Sequence, residues 1–284
     1  MTDHASAPQP PAAAPSPRTL FVGGGNMASA MIAGLLAGGI DAATIHVIEP
    51  NAAVRDALVA RHRVGADPEP PPAGRFDAVV LAVKPQQAAI ALNACRPLLA
   101  SNPDAVLISI AAGLRCETIA RESGGHPVIV RAMPNTPALI GEGATGLFLP
   151  AGIGAGQAAL ARAVLQSTGL VVPIAHEGLL DAVTAVSGSG PAYVFLLIES
   201  MIEAAIANGL DAATARTLVL ATVRGAARLA EGSDESAEVL RRRVTSPGGT
   251  TAAAIAVMER AGLKATIGDA ITAARERGEA LGRG

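Results

Sequence analysis

Two stretches carry residue types and spacings that could do chemistry. The first is Val244-Thr245-Ser246-Pro247-Gly248-Gly249-Thr250-Thr251, which an alanine-rich segment follows. A helix starting there would leave backbone N–H groups without partners and place partial positive charge beside them. Gly248 and Gly249 let a ligand approach the backbone closely. Such a head can hold a small carboxylate through amides alone, with the Thr250 and Thr251 hydroxyls free to donate or accept. Taken by itself the stretch also reads as an ordinary capped turn, with Ser246 or Thr250 as the cap. The second stretch is Gly23-Gly24-Gly25-Asn26-Met27-Ala28, which follows the apolar run Thr19–Val22 and precedes an apolar helix. This is G-x-G-x-x-A in the strand-to-helix setting that dinucleotide binding requires. Gly23 makes the turn, Gly25 lets the backbone meet a pyrophosphate, and Ala28 permits close helix–strand packing. Glu49 lies 49 − 25 = 24 residues after Gly25, about where an acid would meet a ribose 2′-hydroxyl. Arg55 is the alternative there, as a partner for a 2′-phosphate. The sequence leaves both open.

These loops need strands to hold them. After Thr19–Val22, strands are expected over residues 44–48, 77–83, 106–110, 127–130, 144–149 and 170–174. The run over 77–83 is almost continuously apolar, as in a parallel sheet covered on both faces. Strands alternating with helices predict a doubly wound α/β domain. Ligands bind such sheets beyond the carboxyl ends of the strands. The loops at Gly23, Lys84, Ala111 and Met133 fall at such ends and are expected to line one crevice. From Glu177 onward the pattern is helical only: 179–186, a tight break at Ser187–Pro191, then 191–208, a helix to about Ala230, and shorter helices over 235–243, 250–261 and 264–281. The central helix is apolar nearly all round, with Glu199 and Glu203 as a solvated stripe. It must be buried, and a second copy of the chain is the natural cover. A sheet domain over 18–175 and a helical domain over 176–284 are the expected units.

Composition narrows the function classes. The chain has 284 residues, half of them hydrophobic, with one Tyr, four Phe and no Trp, so Ala, Val, Leu and Ile must build the core. A net charge of −2, with Arg241-Arg242-Arg243 as the only basic run, gives no nucleic-acid surface. Cys95 and Cys116 sit in unrelated contexts and no histidine pair has metal-ligand spacing, so no metal site and a reducing, cytoplasmic setting are expected. Residues 1–17 are Pro/Ala-rich and read as a disordered tail without the pattern of a signal peptide. The most apolar stretch, Ala192–Ile198, is interrupted by Glu199 and Glu203 and reads as too short to span a membrane.

Six motifs occur in order: Val22–Ala28, Ala82-Val-Lys-Pro-Gln86, Ser109-Ile-Ala-Ala-Gly113, Val130-Arg-Ala-Met-Pro-Asn-Thr-Pro-Ala138, Ser187-Gly-Ser-Gly-Pro-Ala-Tyr193 and Val244–Thr251. With them the chain resembles pyrroline-5-carboxylate reductases from about Arg18 onward; the first 17 residues have no counterpart. The resemblance implies a Rossmann-type sheet domain and an all-helical domain that pairs with a second subunit, in higher assemblies often decamers of dimers. It implies reduction of 1-pyrroline-5-carboxylate to L-proline with NADPH or NADH. It implies cofactor contacts by Val22, Gly23, Gly24, Gly25, Asn26 and Met27, by Ala82, Val83, Lys84 and Pro85, and by Ile110, Ala111 and Ala112. Glu177 and the Thr250-Thr251 pair become substrate contacts. Gly248 and Gly249 join them as the amide anchor, with Thr251 as the group at the ring nitrogen. Where members commonly carry Asp or Asn before Val244, this chain has Arg243. Two other readings stand beside this one. A β-hydroxyacid dehydrogenase would need a lysine on the helix after the interdomain link, and residues 179–208 contain none. A non-catalytic dinucleotide sensor would not need the Ser246–Thr251 turn.

Overall fold

The computed structural model describes residues 16–282. Positions 1–15 of the expected tail lie outside the described residues. The chain first builds a sheet from β1 (Thr19–Val22), β2 (Ile45–Ile48), β3 (Gly65–Asp67), β4 (Ala78–Leu81), β5 (Val106–Ser109), β6 (Ile129–Met133), β7 (Gly143–Phe148) and β8 (Gly169–Ile174). Their spatial order is β3-β2-β1-β4-β5-β6-β7-β8. The first six are parallel, and their order reverses direction between β1 and β4, the topological switch of a dinucleotide-binding sheet. β7 runs antiparallel to β6, and β8 parallel to β7. A parallel return needs a long crossover, but only a 3₁₀ turn over Thr136–Ile140 separates β6 from β7, so the strand reverses.

Alternation along the strands splits the core in two. Phe21, Val47, Val80 and Ile108 pack under Met31, Ile32 and Leu35 of α1 (Asn26–Ala37) and Val164 and Leu165 of α5 (Ala155–Gln166). Leu20, Val22, Val79, Leu81 and Leu107 pack under Leu92, Leu98 and Leu99 of α3 (Pro85–Ala100) and Ile119 of α4 (Cys116–Glu122). Both faces are thus covered, as the apolar strand runs demand. α2 (Ala52–His62) links β2 to β3 and contributes Leu58 to the first core. β3 is an edge strand of three residues, too short and polar to show a strand pattern.

The rest is helical: α6 (Leu179–Val183), α7 (Gly190–Ala207), α8 (Ala212–Glu231), α9 (Ala237–Arg243), α10 (Thr250–Arg260) and α11 (Leu263–Leu281). The expected break at Ser187–Pro191 is absent. A π-helical turn over Thr184–Gly188 joins α6 to α7, and Ser189 N–H reaches back five residues to the Thr184 carbonyl at 2.8 Å. Tyr193, the only tyrosine, donates to the Ala185 carbonyl at 3.1 Å and so satisfies a group that the wide turn displaces. Pro191 has no N–H to give the Ser187 carbonyl four residues back, and Asn135 Nδ2 donates to that carbonyl instead, at 3.1 Å. The result is one helix of 29 residues, Leu179–Ala207. By length and composition it could cross a membrane, so the expectation that this stretch is too short does not hold. Nor is it buried within one chain: no residue of α7 is buried. α7 packs along α8, and α11 returns to lie against α6 and the π turn.

Candidate active site

The glycine turn has the shape expected of a pyrophosphate cradle. Gly23 adopts φ +101°, and a Cβ on it would stand 2.8 Å from both the Ala82 carbonyl oxygen and Val83 Cγ1. Only glycine lets the turn after β1 touch the loop after β4. A Cβ on Gly25 would meet nothing within 4 Å. Gly25 is also the N-cap of α1, with no side-chain cap and no acid in the first turn. The N–H groups at that helix head are therefore free for an anion. Next to it runs a groove lined by Gly24, Gly25, Asn26, Ala53, Val54 and Leu58, among others. These residues fit a dinucleotide.

The other expected cofactor loops lie beside the cradle because their strands do. Ala82 N–H donates to the Val22 carbonyl at 2.8 Å and Ile110 N–H to the Leu81 carbonyl at 3.2 Å. Lys84 is exposed and N-caps α3, with Pro85 in the first helical position. Ala111 is buried and Ala112 half-buried beyond β5. Val22, Gly23 to Met27, Ala82 to Pro85 and Ile110 to Ala112 thus follow the carboxyl ends of β1, β4 and β5, which are neighbours. The loop after β6 does different work. Its Asn135 accepts from Ala144 N–H at 2.9 Å and donates to the Ser187 carbonyl at 3.1 Å. It clasps the π turn to the sheet.

The turn at Ser246–Thr251 has bare amides. Gly248 takes φ +72°, Gly249 is the N-cap of α10, and no side chain caps this helix. The alternative of Ser246 or Thr250 as cap is therefore not realised; Ser246 instead accepts Gly249 N–H through its carbonyl, at 3.0 Å. Thr250 is exposed and Thr251 half-buried. Among the described residues no hydrogen bond ties this turn to the sheet domain. Arg243, just before it, is 2.6 Å from the Glu235 carboxylate.

Glu177 lies elsewhere, in a cluster that single residues of the sequence did not announce. Its Oε1 accepts from Cys116 N–H at 2.6 Å, at the head of α4, and from Arg131 Nη1 at 3.0 Å. Arg115 pairs with Asp181 of α6 at 2.5 Å. Arg131 is 3% exposed, and its Nε has no partner among the described residues. Burial pushes the Glu177 carboxyl up, but the Cys116 N–H and the Arg131 guanidinium outweigh it and hold it below the usual carboxylate range. The same surroundings push the Cys116 thiol up to about 12, through burial first and then the Glu177 charge, so it stays protonated and inert. Glu177 Oε2 takes no hydrogen bond from the described residues. The cluster pins α6, and with it the long helix, to β6 and α4. The available signal was an arginine inside an apolar strand and an aspartate inside an apolar helix, each of which needs a partner.

Comparison with known proteins follows the same division of the chain. The family model described as pyrroline-5-carboxylate reductase dimerisation matches residues 177–281. That described as NADP oxidoreductase, coenzyme F420-dependent, matches residues 18–113. The pyrroline-5-carboxylate reductase of Pseudomonas aeruginosa is 41% identical over 267 residues, covering 94% of this chain and 97% of that protein. Among solved structures, the pyrroline-5-carboxylate reductase of Coxiella burnetii superposes with a TM-score of 0.85 at 38% identity, over 94% of this chain and 98% of that one. That of Plasmodium falciparum, solved with NADP bound, gives 0.82 at 30% identity, over 94% and 99%.

Proposed function

The chain belongs to the pyrroline-5-carboxylate reductase family, and on that premise we infer that it reduces 1-pyrroline-5-carboxylate to L-proline, the last step of proline biosynthesis. The hydride comes from a reduced nicotinamide dinucleotide on an NADP-binding type of Rossmann domain. The observation that supports the chemistry best is the uncapped head of α10. A proline-sized anion needs a carboxylate anchor, and the N–H groups at Thr250 and Thr251 offer one beside the permissive Gly248 and Gly249.

In this reading the C=N carbon accepts the hydride and the ring nitrogen ends protonated. Thr251 Oγ hydrogen-bonds that nitrogen and fixes its orientation. A threonine hydroxyl is a poor acid, so its part is alignment more than proton donation. Glu177, ionised by its surroundings and with Oε2 free, favours the cationic iminium form electrostatically. Lys84 stands at the cofactor crevice. Val22 to Met27, Ala82 to Pro85 and Ile110 to Ala112 hold the dinucleotide.

The chain self-associates through its dimerisation domain. We place the boundary between the sheet and helical domains near residue 175. The associated form is a homodimer through the helical half, which higher assemblies such as decamers would repeat. Phe195 and Leu196, each 63% exposed on α7, support the pairing. The free thiols Cys95 and Cys116 suit the cytoplasm. A spectrophotometric assay of NAD(P)H oxidation with pyrroline-5-carboxylate tests the reaction. No oxidation above the substrate-free rate would end it in favour of a dinucleotide sensor.

A further inference from the structure

The end of β2 is acidic, and its acid is built in. Glu49 Oε2 accepts Gly24 N–H at 2.9 Å and Oε1 accepts Asn51 N–H at 2.8 Å. Its side chain lies on the glycine turn so closely that a Cβ on Gly24 would come within 3.2 Å of Glu49 Cβ. Asp67, opposite Ile48 in the register of β2 and β3, adds a second carboxylate, 2.9 Å from His46 Nε2. Of the cations on α2, Arg55 donates through Nη1 to the carbonyls of Glu49 at 2.9 Å and Pro50 at 3.4 Å, and Arg61 lines the far part of the groove beside the glycine turn. Pro50 has no N–H to give.

We propose that Glu49 makes this chain bind NADH more tightly than NADPH. The inference rests on the dinucleotide reading of the sheet domain and deepens it. The adenosine ribose of a dinucleotide is received beyond this strand end. There the Gly24 and Asn51 amides, which could have cradled a phosphate, are taken up by the carboxylate. Each Glu49 oxygen keeps a lone pair that a 2′-hydroxyl can satisfy by donating its hydrogen. A 2′-phosphate brings nearly two negative charges and only acceptor oxygens, against a carboxylate fixed in place. NADPH still fits, at lower affinity.

Calorimetric titration of the full chain with NADH and NADPH tests this without turnover. NADH is expected to bind about tenfold more tightly or better, a difference of about 1.4 kcal/mol. Glu49→Gln keeps the shape and removes the charge, and is expected to close most of the gap by tightening NADPH. Adenosine 5′-monophosphate and adenosine 2′,5′-bisphosphate, titrated into the unaltered chain, give the same comparison without relying on the variant's folding. Equal or tighter binding of NADPH overturns the proposal, as does a folded Glu49→Gln protein with an unchanged ratio. Failure of both dinucleotides to bind would overturn the underlying reading as well, which separates the two.

Discussion

The sheet half and the helical half of this molecule solve the burial problem differently. In the sheet half, Leu20, Phe21, Met31, Ile32, Leu81, Leu107 and Ile108 are all sealed from solvent within one chain. In the helical half no residue of α7, α9 or α10 is buried, and α8 buries only Ala215 and Val219. A helix as apolar as α7 left open on its own chain is an unfinished interface. The lesson is that one half closes its core within a single chain, while the other, which matches a dimerisation family model, leaves its most apolar helix open. The turn proposed to hold the substrate lies in that open half.

The sharpest way to break that contrast is to charge the open face. Phe195→Asp with Leu196→Asp is expected to give single chains by light scattering and to abolish reductase activity, while the sheet half keeps its folded signature and its dinucleotide binding. A variant that stayed associated would move the interface elsewhere. Next in size is Thr251→Val. Loss of one positioned hydroxyl is expected to lower turnover by about a hundredfold, with NAD(P)H affinity unchanged, since the cofactor belongs to the other half. Wild-type kinetics in that variant would remove Thr251 from the mechanism.

The junction between the halves comes third. Arg131→Met leaves Glu177 with the Cys116 N–H but without its cationic partner, and is expected to cost roughly 3 kcal/mol in chemical denaturation. If stability were unchanged, the cluster would not be what fastens the long helix to the sheet. The smallest effect is acid sensitivity of the sheet half. Burial depresses both His62, which is hydrogen-bonded to Ser29, and His126, which faces the Ala105 carbonyl. Both are held neutral, so the unfolded chain binds more protons below its ordinary histidine value of 6.5. Their contribution is complete above that pH and is lost as pH falls through the depressed folded values. Melting followed between pH 7 and 5 should show the sheet half weakening, less so in His126→Asn. An equal loss in both proteins would discharge His126 from the effect.

What could be read from the sequence follows the range of the forces involved. The strands and the glycine turn were legible because apolar runs and a G-x-G-x-x-A spacing are local. The bare head after Ser246 was legible for the same reason. β3 was not, because Gly65-Ala66-Asp67 has neither length nor β-formers and is held by pairing with β2. The reversal of β7 depends on what the 3₁₀ turn permits, which no single residue states. Serine and glycine at 187–190 suggested a break, but tertiary packing overrode them: Met133 Cε would lie 2.7 Å from a Cβ on Gly188, and Asn135 holds Ser187. The Arg131–Glu177 and Arg115–Asp181 pairs span 46 and 66 residues, beyond any local pattern.

The wide turn at Thr184–Gly188 sets the azimuth of everything that follows it on the long helix. Winding the same residues as an ordinary α-helix would swing Phe195 and Leu196 by about 100° around the axis, whereas removing one residue along with the wide turn would leave them facing nearly as they do now. A local irregularity in winding thereby decides which side of the long helix stays open.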